Sequence, residues 1–214
     1  MKSLFFGIVL IIVVGFGGLV YRNAVEHPSR PITCPLDAKT CPDGTSVSRT
    51  GNSCMFAACP PPNVSLPDIA IAYAVPDGFV ATAVLPDAAS VVAYEAMNVS
   101  TSSASIIVRR YAILASSTAL MTIQQTAIGA PSGAPVPATA FSSVILETHR
   151  FTVVAIERFE GVVDTAYYLA RSTDVLRFDA IDRDVMNWTN PNLAVSALPA
   201  NAALQKMLST LEGG

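Results

Sequence analysis

Residues 143–181 read SVILETHRFTVVAIERFEGVVDTAYYLARSTDVLRFDAI, and this stretch decides the fold. Four runs rich in β-branched, aromatic and aliphatic side chains, 143–148, 151–159, 164–171 and 175–181, follow one another through short connections. Such residues suit a pleated, half-buried surface. A crossover to a parallel neighbour needs a dozen or more residues, so short links predict antiparallel pairing. Arg171-Ser172-Thr173-Asp174 has the polar, compact character of a hairpin turn.

Upstream, Ile69–Ala74, Phe79–Leu85, Ser90–Ala96 and Ser105–Ala112 are further strand-compatible runs, divided by Pro76-Asp77-Gly78 and Pro86-Asp87. In Phe79–Leu85 both alternating sets are apolar, which predicts a central strand covered on both faces. Arg109 and Arg110 are adjacent in their run and so fall on opposite faces. Residues 116–128 predict a helix capped by Ser116 or Ser117, with Leu120, Met121 and Ile123 apolar, before the Pro/Gly-rich loop 129–137. Downstream, Leu204, Met207, Leu208 and Leu211 recur at helical spacing after Pro199, with Asn201 as a possible cap. The expected fold class is α+β: a mainly antiparallel β-sheet with one internal and one C-terminal helix.

The N-terminal sixty residues are of another kind. Leu4 to Tyr21 contains no charge, and at helical rise its eighteen residues span ~27 Å, close to a bilayer's hydrocarbon thickness. Lys2 precedes the run and Arg22 follows it. The run is long for a cleaved leader, and its only paired small residues near the end, Gly15 and Gly17, lie inside it, so an uncleaved anchor is expected. All four cysteines, Cys34, Cys41, Cys54 and Cys59, follow directly, spaced C-x6-C-x12-C-x4-C. Zinc modules draw their ligands as close pairs, and this spacing supplies at most one, so two disulfides are the expectation. So short a segment cannot bury a core and needs cross-links instead. Three connectivities are open, and the reading leans to Cys34–Cys54 with Cys41–Cys59. The expected organisation is an anchor over 1–22, a stalk over 23–30, a disulfide module over 31–60, a Pro-rich linker over 61–67 and an α+β domain over 68–214. Disulfides belong to oxidising compartments, which places the C-terminal domain outside the cytoplasm on a single-pass cell-membrane protein.

Half the chain is apolar, 14% is charged and the net charge is −3. No basic run is longer than Arg109-Arg110, which argues against nucleic acid as a partner. Candidate chemistry is sparse. Only His27 and His149 could serve a Ser-His or Cys-His site, and no phosphate loop or G-x-S-x-G occurs. Asp179, Asp182 and Asp184 could gather about Ca²⁺, but the segment lacks the glycine and closing Glu of an EF-hand loop, and a solvated strand end neutralised by Arg177 and Arg183 is the preferred reading. No catalytic residue, metal or cofactor is assigned. Trp188, the sole tryptophan, sits among polar turn residues and is the candidate partner contact.

The segment Cys41-Pro-Asp-Gly-Thr-Ser-Val-Ser-Arg-Thr-Gly-Asn-Ser-Cys54-Met-Phe-Ala-Ala-Cys59-Pro resembles a CPDGS-x-V-x-R-x-G-x-x-C-x-F-x-x-CP motif of uncharacterised exported or membrane-anchored proteins of candidate-phylum bacteria. The stretches 158–171, 187–192 and 203–208 look like the same proteins. The Asp43-Gly44 turn and the closing cysteines are also similar to Kazal-type protease inhibitors, which use six cysteines where this module has four. The element order over 68–212 resembles PsbP-like α/β sandwich domains, which implies a non-enzymatic binding or assembly module. The expected function is therefore an anchored extracytoplasmic module that engages an unknown protein or surface polymer. The alternative is a small protease-inhibitor-like protein acting through the loop Pro42–Met55.

Overall fold

The computed structural model describes residues 7, 11–19, 21–22, 33–41, 45–83, 87–96, 103–129 and 133–214. These divide into two compact units, one drawn from residues 1–38 and 48–57 and the other from 39–47 and 58–214.

In the first unit, residues 11–19 and 21–22 are helical, with Ile11, Val14, Phe16, Leu19 and Tyr21 all exposed. Among the described residues no helix is long and apolar enough to cross a membrane. The rest of the expected anchor, the stalk over 23–30 and His27 lie outside the described residues, as do Pro42–Gly44 of the inhibitor-like loop. The cysteine segment carries the short strands β1 (Ala38–Thr40), β2 (Ser46–Thr50) and β3 (Met55–Phe56), with Arg49 opposite Phe56 in the β2–β3 register. Cys34 is bonded to Cys54 and Cys41 to Cys59. Arg49 donates twice to the Asp37 carboxylate, at 2.7 and 2.9 Å, and its guanidinium lies 4.0 Å over the Phe56 ring. With almost nothing apolar to bury, cross-links and one shared arginine take the place of a core.

The second unit is built on a seven-stranded antiparallel sheet. Two small strands, β4 (Val64–Leu66) and β5 (Ile71–Tyr73), pair beside it, so residues 64–66 of the Pro-rich segment are structured strand. The large sheet takes β6 (Phe79–Thr82), β7 (Ser90–Ala96), β8 (Ala104–Ala112), β9 (Ser142–Leu146), β10 (His149–Phe159), β11 (Val162–Ala170) and β12 (Asp174–Asp182). Their spatial order is β6-β7-β8-β12-β11-β10-β9. Glu160 and Gly161 both have positive φ, 48° and 81°, the two-residue turn whose twist suits a hairpin, and this turn joins β10 to β11. The chain ends in β13 (Glu212–Gly213) on β5. Gly213 is required there, since a Cβ would lie 2.3 Å from the Ala70 carbonyl oxygen.

A helix covers each face of the sheet. α2 (Pro199–Ser209) lays Ala200, Ala203, Leu204, Met207 and Leu208 on the side of Phe151, Tyr167, Leu176 and Phe178. α1 (Ala119–Thr126) lays Ile123 on the opposite side, against Val154, Ala166, Tyr168 and Val175. Alternation along β11 makes this division: Tyr167 and Leu169 face α2, while Ala166 and Tyr168 face α1.

Several expectations need correction. The run beginning at Phe79 is an edge strand rather than a central one, and Val80 is 40% exposed. Two apolar alternating sets fit burial but do not require it. The first helix is capped by Thr118, whose hydroxyl accepts from the Met121 amide at 3.2 Å, and not by Ser116 or Ser117. Its Leu120 and Met121 are exposed. The C-terminal helix begins at Pro199, whose fixed φ suits the first turn, so Asn201 lies inside the helix rather than capping it.

Candidate functional site

On the α1 side, β8, β11 and β12 carry an ionic chain that their pleat makes inevitable. Arg177 and Asp179 are two apart on β12, so they share a face, and the register sets Arg109 of β8 beside Arg177. Arg177 Nε donates to Asp179 Oδ1 at 2.6 Å and its Nη1 donates to the Thr126 carbonyl of α1 at 2.6 Å. Arg109 donates to the other Asp179 oxygen and, from Nε, to Asp87 at 3.1 Å. Asp179 is fully buried. The expected solvated strand end is thus corrected: β12 is the middle strand of seven, so its aspartates are covered from both sides.

Asp182 belongs to the other face, where it accepts from the Ala200 amide at 2.7 Å and satisfies the first turn of α2. Burial pushes its carboxyl above the usual range, and the backbone amides of Ala200 and Asn201 oppose that. Asp184 is exposed. Among the described residues no group of three or more His, Cys, Asp or Glu is placed to hold a metal ion.

Asp164 closes the ionic chain. Its carboxylate lies 4.0 Å from Arg177 Nη2, and Oδ1 has no hydrogen-bond partner. Burial first, and the Asp179 charge second, push its carboxyl well above the usual carboxylate range. Burial likewise pushes the adjacent Tyr168 phenol up to about 12. A raised carboxyl pKa favours the folded state below the ordinary carboxylate range, and that advantage is lost as pH rises through the folded-state pKa. Each proton so retained costs about 1.4 kcal/mol per pH unit across the window. Asp164→Asn therefore gains stability relative to the parent between pH 4.5 and pH 8, by about 1 kcal/mol or more. Urea unfolding at both pH values checks it, and parallel pH profiles for parent and variant would sink the idea.

Among the concavities on the described residues, one of about 360 Å³ lies by Tyr111, Leu114 and Thr122, and two others bear on function. The larger, about 460 Å³, lies by Arg110, Arg171 and Asp174. Its arginines are already committed: Arg171 grips Asp174 in a fork at 2.6 and 2.7 Å, and Arg110 adds a bond at 2.6 Å. Burial alone would raise the Asp174 pKa, but these bonds outweigh it and hold the carboxyl below its usual value. This is a structural clamp between the β11–β12 turn and β8.

The second groove, about 300 Å³, opens on the α2 side of β10 and β11, beyond the first turn of α2. Val153, Ala155 and Val163 form an apolar floor, Thr165, Tyr167 and Asn201 supply a polar wall, and Glu157, Arg158 and Asp164 also line it. The Tyr167 hydroxyl donates to Asn201 Oδ1 at 2.9 Å, and Gln205 Nε2 donates to both, at 2.7 Å to Asn201 and 3.1 Å to Tyr167. Burial pushes the Tyr167 phenol up, so it stays a neutral donor. Asn201 is 2% exposed, and its Nδ2 has no partner among the described residues. The Thr165 hydroxyl also makes no bond. Neither atom is among the sealed, unpartnered ones, so both open to the groove. An apolar floor with a few convergent polar groups is the usual make-up of a ligand site.

Trp188 stands apart from this groove's lining. It packs edge-on to Phe159, with centroids 6.1 Å apart, and Arg158 donates to the carbonyls of Trp188 and Asn190. His149 opens β10, its Nε2 2.9 Å from the Gly213 carbonyl oxygen. Sequence reasoning missed the groove because its parts come from β10, β11 and α2, and Asn201 carried a local explanation as a cap. The signal available was a helical Asn on the same face as Leu204 and Leu208, where an apolar residue belongs.

No known protein-family profile matches the chain, and no curated protein matches it. Among solved structures it is similar to a protein from Bacteroides thetaiotaomicron VPI-5482, determined at 1.50 Å, with 10% identity and a TM-score of 0.41. The match covers 67% of this chain and 45% of that one, so this chain spans less than half of that protein's length.

Proposed function

We propose that this protein is a membrane-anchored, extracytoplasmic, non-enzymatic binding or assembly module. The observation that carries the binding role is the α2-side groove, where a saturated Tyr167–Asn201–Gln205 network leaves the Asn201 amide donor unspent beside an apolar floor. A donor left unspent beside an apolar floor is a group that a bound acceptor can engage. The extracytoplasmic setting is supported by the Cys34–Cys54 and Cys41–Cys59 bonds, which persist only where thiols are not kept reduced. The eighteen uncharged residues from Leu4 supply the anchor. The PsbP-like resemblance agrees with the two-helix, antiparallel arrangement. Half-buried Trp188 and exposed Phe159 offer a protein partner an aromatic contact.

The test is intact mass and thiol labelling of the full chain taken from native membranes. The expected result is a membrane-fraction protein of full-length mass, with four thiols appearing only on reduction. Free thiols before reduction, or a chain recovered in the soluble fraction, would overturn the reading.

A further inference from the structure

The geometry points to the acetamido group as the chemistry that the α2-side groove recognises. This inference rests on the binding-module reading and gives it a ligand class. An acetamido group has three parts: a methyl, a carbonyl acceptor and an N–H donor. The groove offers a counterpart to each. Val153, Ala155 and Val163 form an apolar floor for the methyl. Asn201 Nδ2 is a donor with no partner of its own, on a side chain 98% removed from solvent. The Thr165 hydroxyl is an unspent acceptor on the same strand face as Val163 and Tyr167.

Orientation narrows the class. Asn201 accepts through Oδ1 from both Tyr167 and Gln205, which leaves its NH2 as the unspent group. The site therefore discriminates for a carbonyl rather than a second donor. Thr165, Tyr167 and Asn201 carry no formal charge, while Glu157, Arg158 and Asp164 complete the lining, with Arg158 bonded to the Trp188 and Asn190 carbonyls. At about 300 Å³ the groove suits a single ring or a capped amino acid.

An acetamido group can come from an N-acetylated sugar or from an acetylated peptide. Ligand-observed saturation-transfer NMR on the full chain in detergent separates them, with N-acetylglucosamine, glucose and N-acetylalanine methylamide as probes. The acetyl methyl of at least one acetylated probe should receive the strongest transfer, and glucose should receive none. Whichever acetylated probe binds identifies the source. Ala155→Leu fills the floor at an exposed position and should weaken binding at least tenfold. Thr165→Val keeps the β-branched shape, removes only the hydroxyl and should weaken it several-fold. Circular dichroism of both variants establishes that they fold. Equal transfer to glucose, silence from both acetylated probes, or binding indifferent to both variants would each overturn the assignment. A membrane-bound chain with four protected thiols that ignores all three probes would leave the module reading standing without this ligand. A soluble chain with free thiols would remove that reading whatever the probes do.

Discussion

Asp179→Ala is expected to lower the unfolding free energy by about 3–5 kcal/mol at pH 7, the cost of breaking a buried ion pair from one side. Asp179 is fully buried and is the acceptor for both Arg109 and Arg177. Arg177 is itself only 8% exposed; its bond to the Thr126 carbonyl cannot neutralise the charge, and Asp164, at 4.0 Å, is too far to replace the hydrogen-bonded pair. A guanidinium keeps its proton even when buried, so the arginine does not escape by losing it. The variant thus strands a cation between the sheet and α1. Urea unfolding followed by fluorescence of Trp188, the only tryptophan, measures the loss. The double variant Arg177→Met, Asp179→Leu should recover much of it, because an apolar replacement of the whole pair leaves no charge unpaired. A single-variant loss below about 1 kcal/mol would show that the ionic chain is dispensable.

Phe151→Ala is expected to cost a similar amount, about 3–5 kcal/mol, for a different reason. Phe151 has no exposure and sits at the centre of three aromatic contacts: Phe178 at 6.3 Å, Tyr167 at 6.5 Å and His149 at 6.3 Å. Removing it opens a cavity under α2 that the sheet, held by neighbours on both sides, cannot close. The melting temperature should fall by about 6–20 °C on the usual scaling for a domain of this size. Phe151→Leu, which keeps most of the volume, should cost about 1.5 kcal/mol or less. Equal losses for the two variants would mean that cavity volume is not what Phe151 contributes.

How much of this was legible beforehand divides along a physical line. The strands at 151–159 and 175–181 and the C-terminal helix were readable because their signals are local: alternation, short links, and leucines at helical spacing. Edge or centre was not readable for Phe79–Thr82, since the neighbours of a strand are chosen by distant segments, and β8 reaches β12 across more than sixty residues of chain. The same gap explains Asp179 and Asp182. A run of aspartates near a strand end is ordinarily solvated, and only the sheet order shows that β12 has neighbours on both sides and a helix on both faces. The pairing of Arg177 with Asp179 was half-visible, as opposite charges two residues apart must share a face of a strand. The groove was hidden because its parts come from three distant segments, and the one local sign, a polar Asn201 on the apolar face of its helix, fitted a cap equally well.

The Cys34–Cys54 bond has a mechanical consequence. It joins residues 20 apart in sequence and, with the overlapping Cys41–Cys59 bond, carries tension through sulfur and off the backbone between Cys41 and Cys54. Fully extended, the residues from Cys34 to Cys54 would add about 66–72 Å of reach. While the bond holds, that length is locked away. A pulling experiment should therefore show a short tether with the bond intact, and a step of several tens of ångströms on adding a reductant.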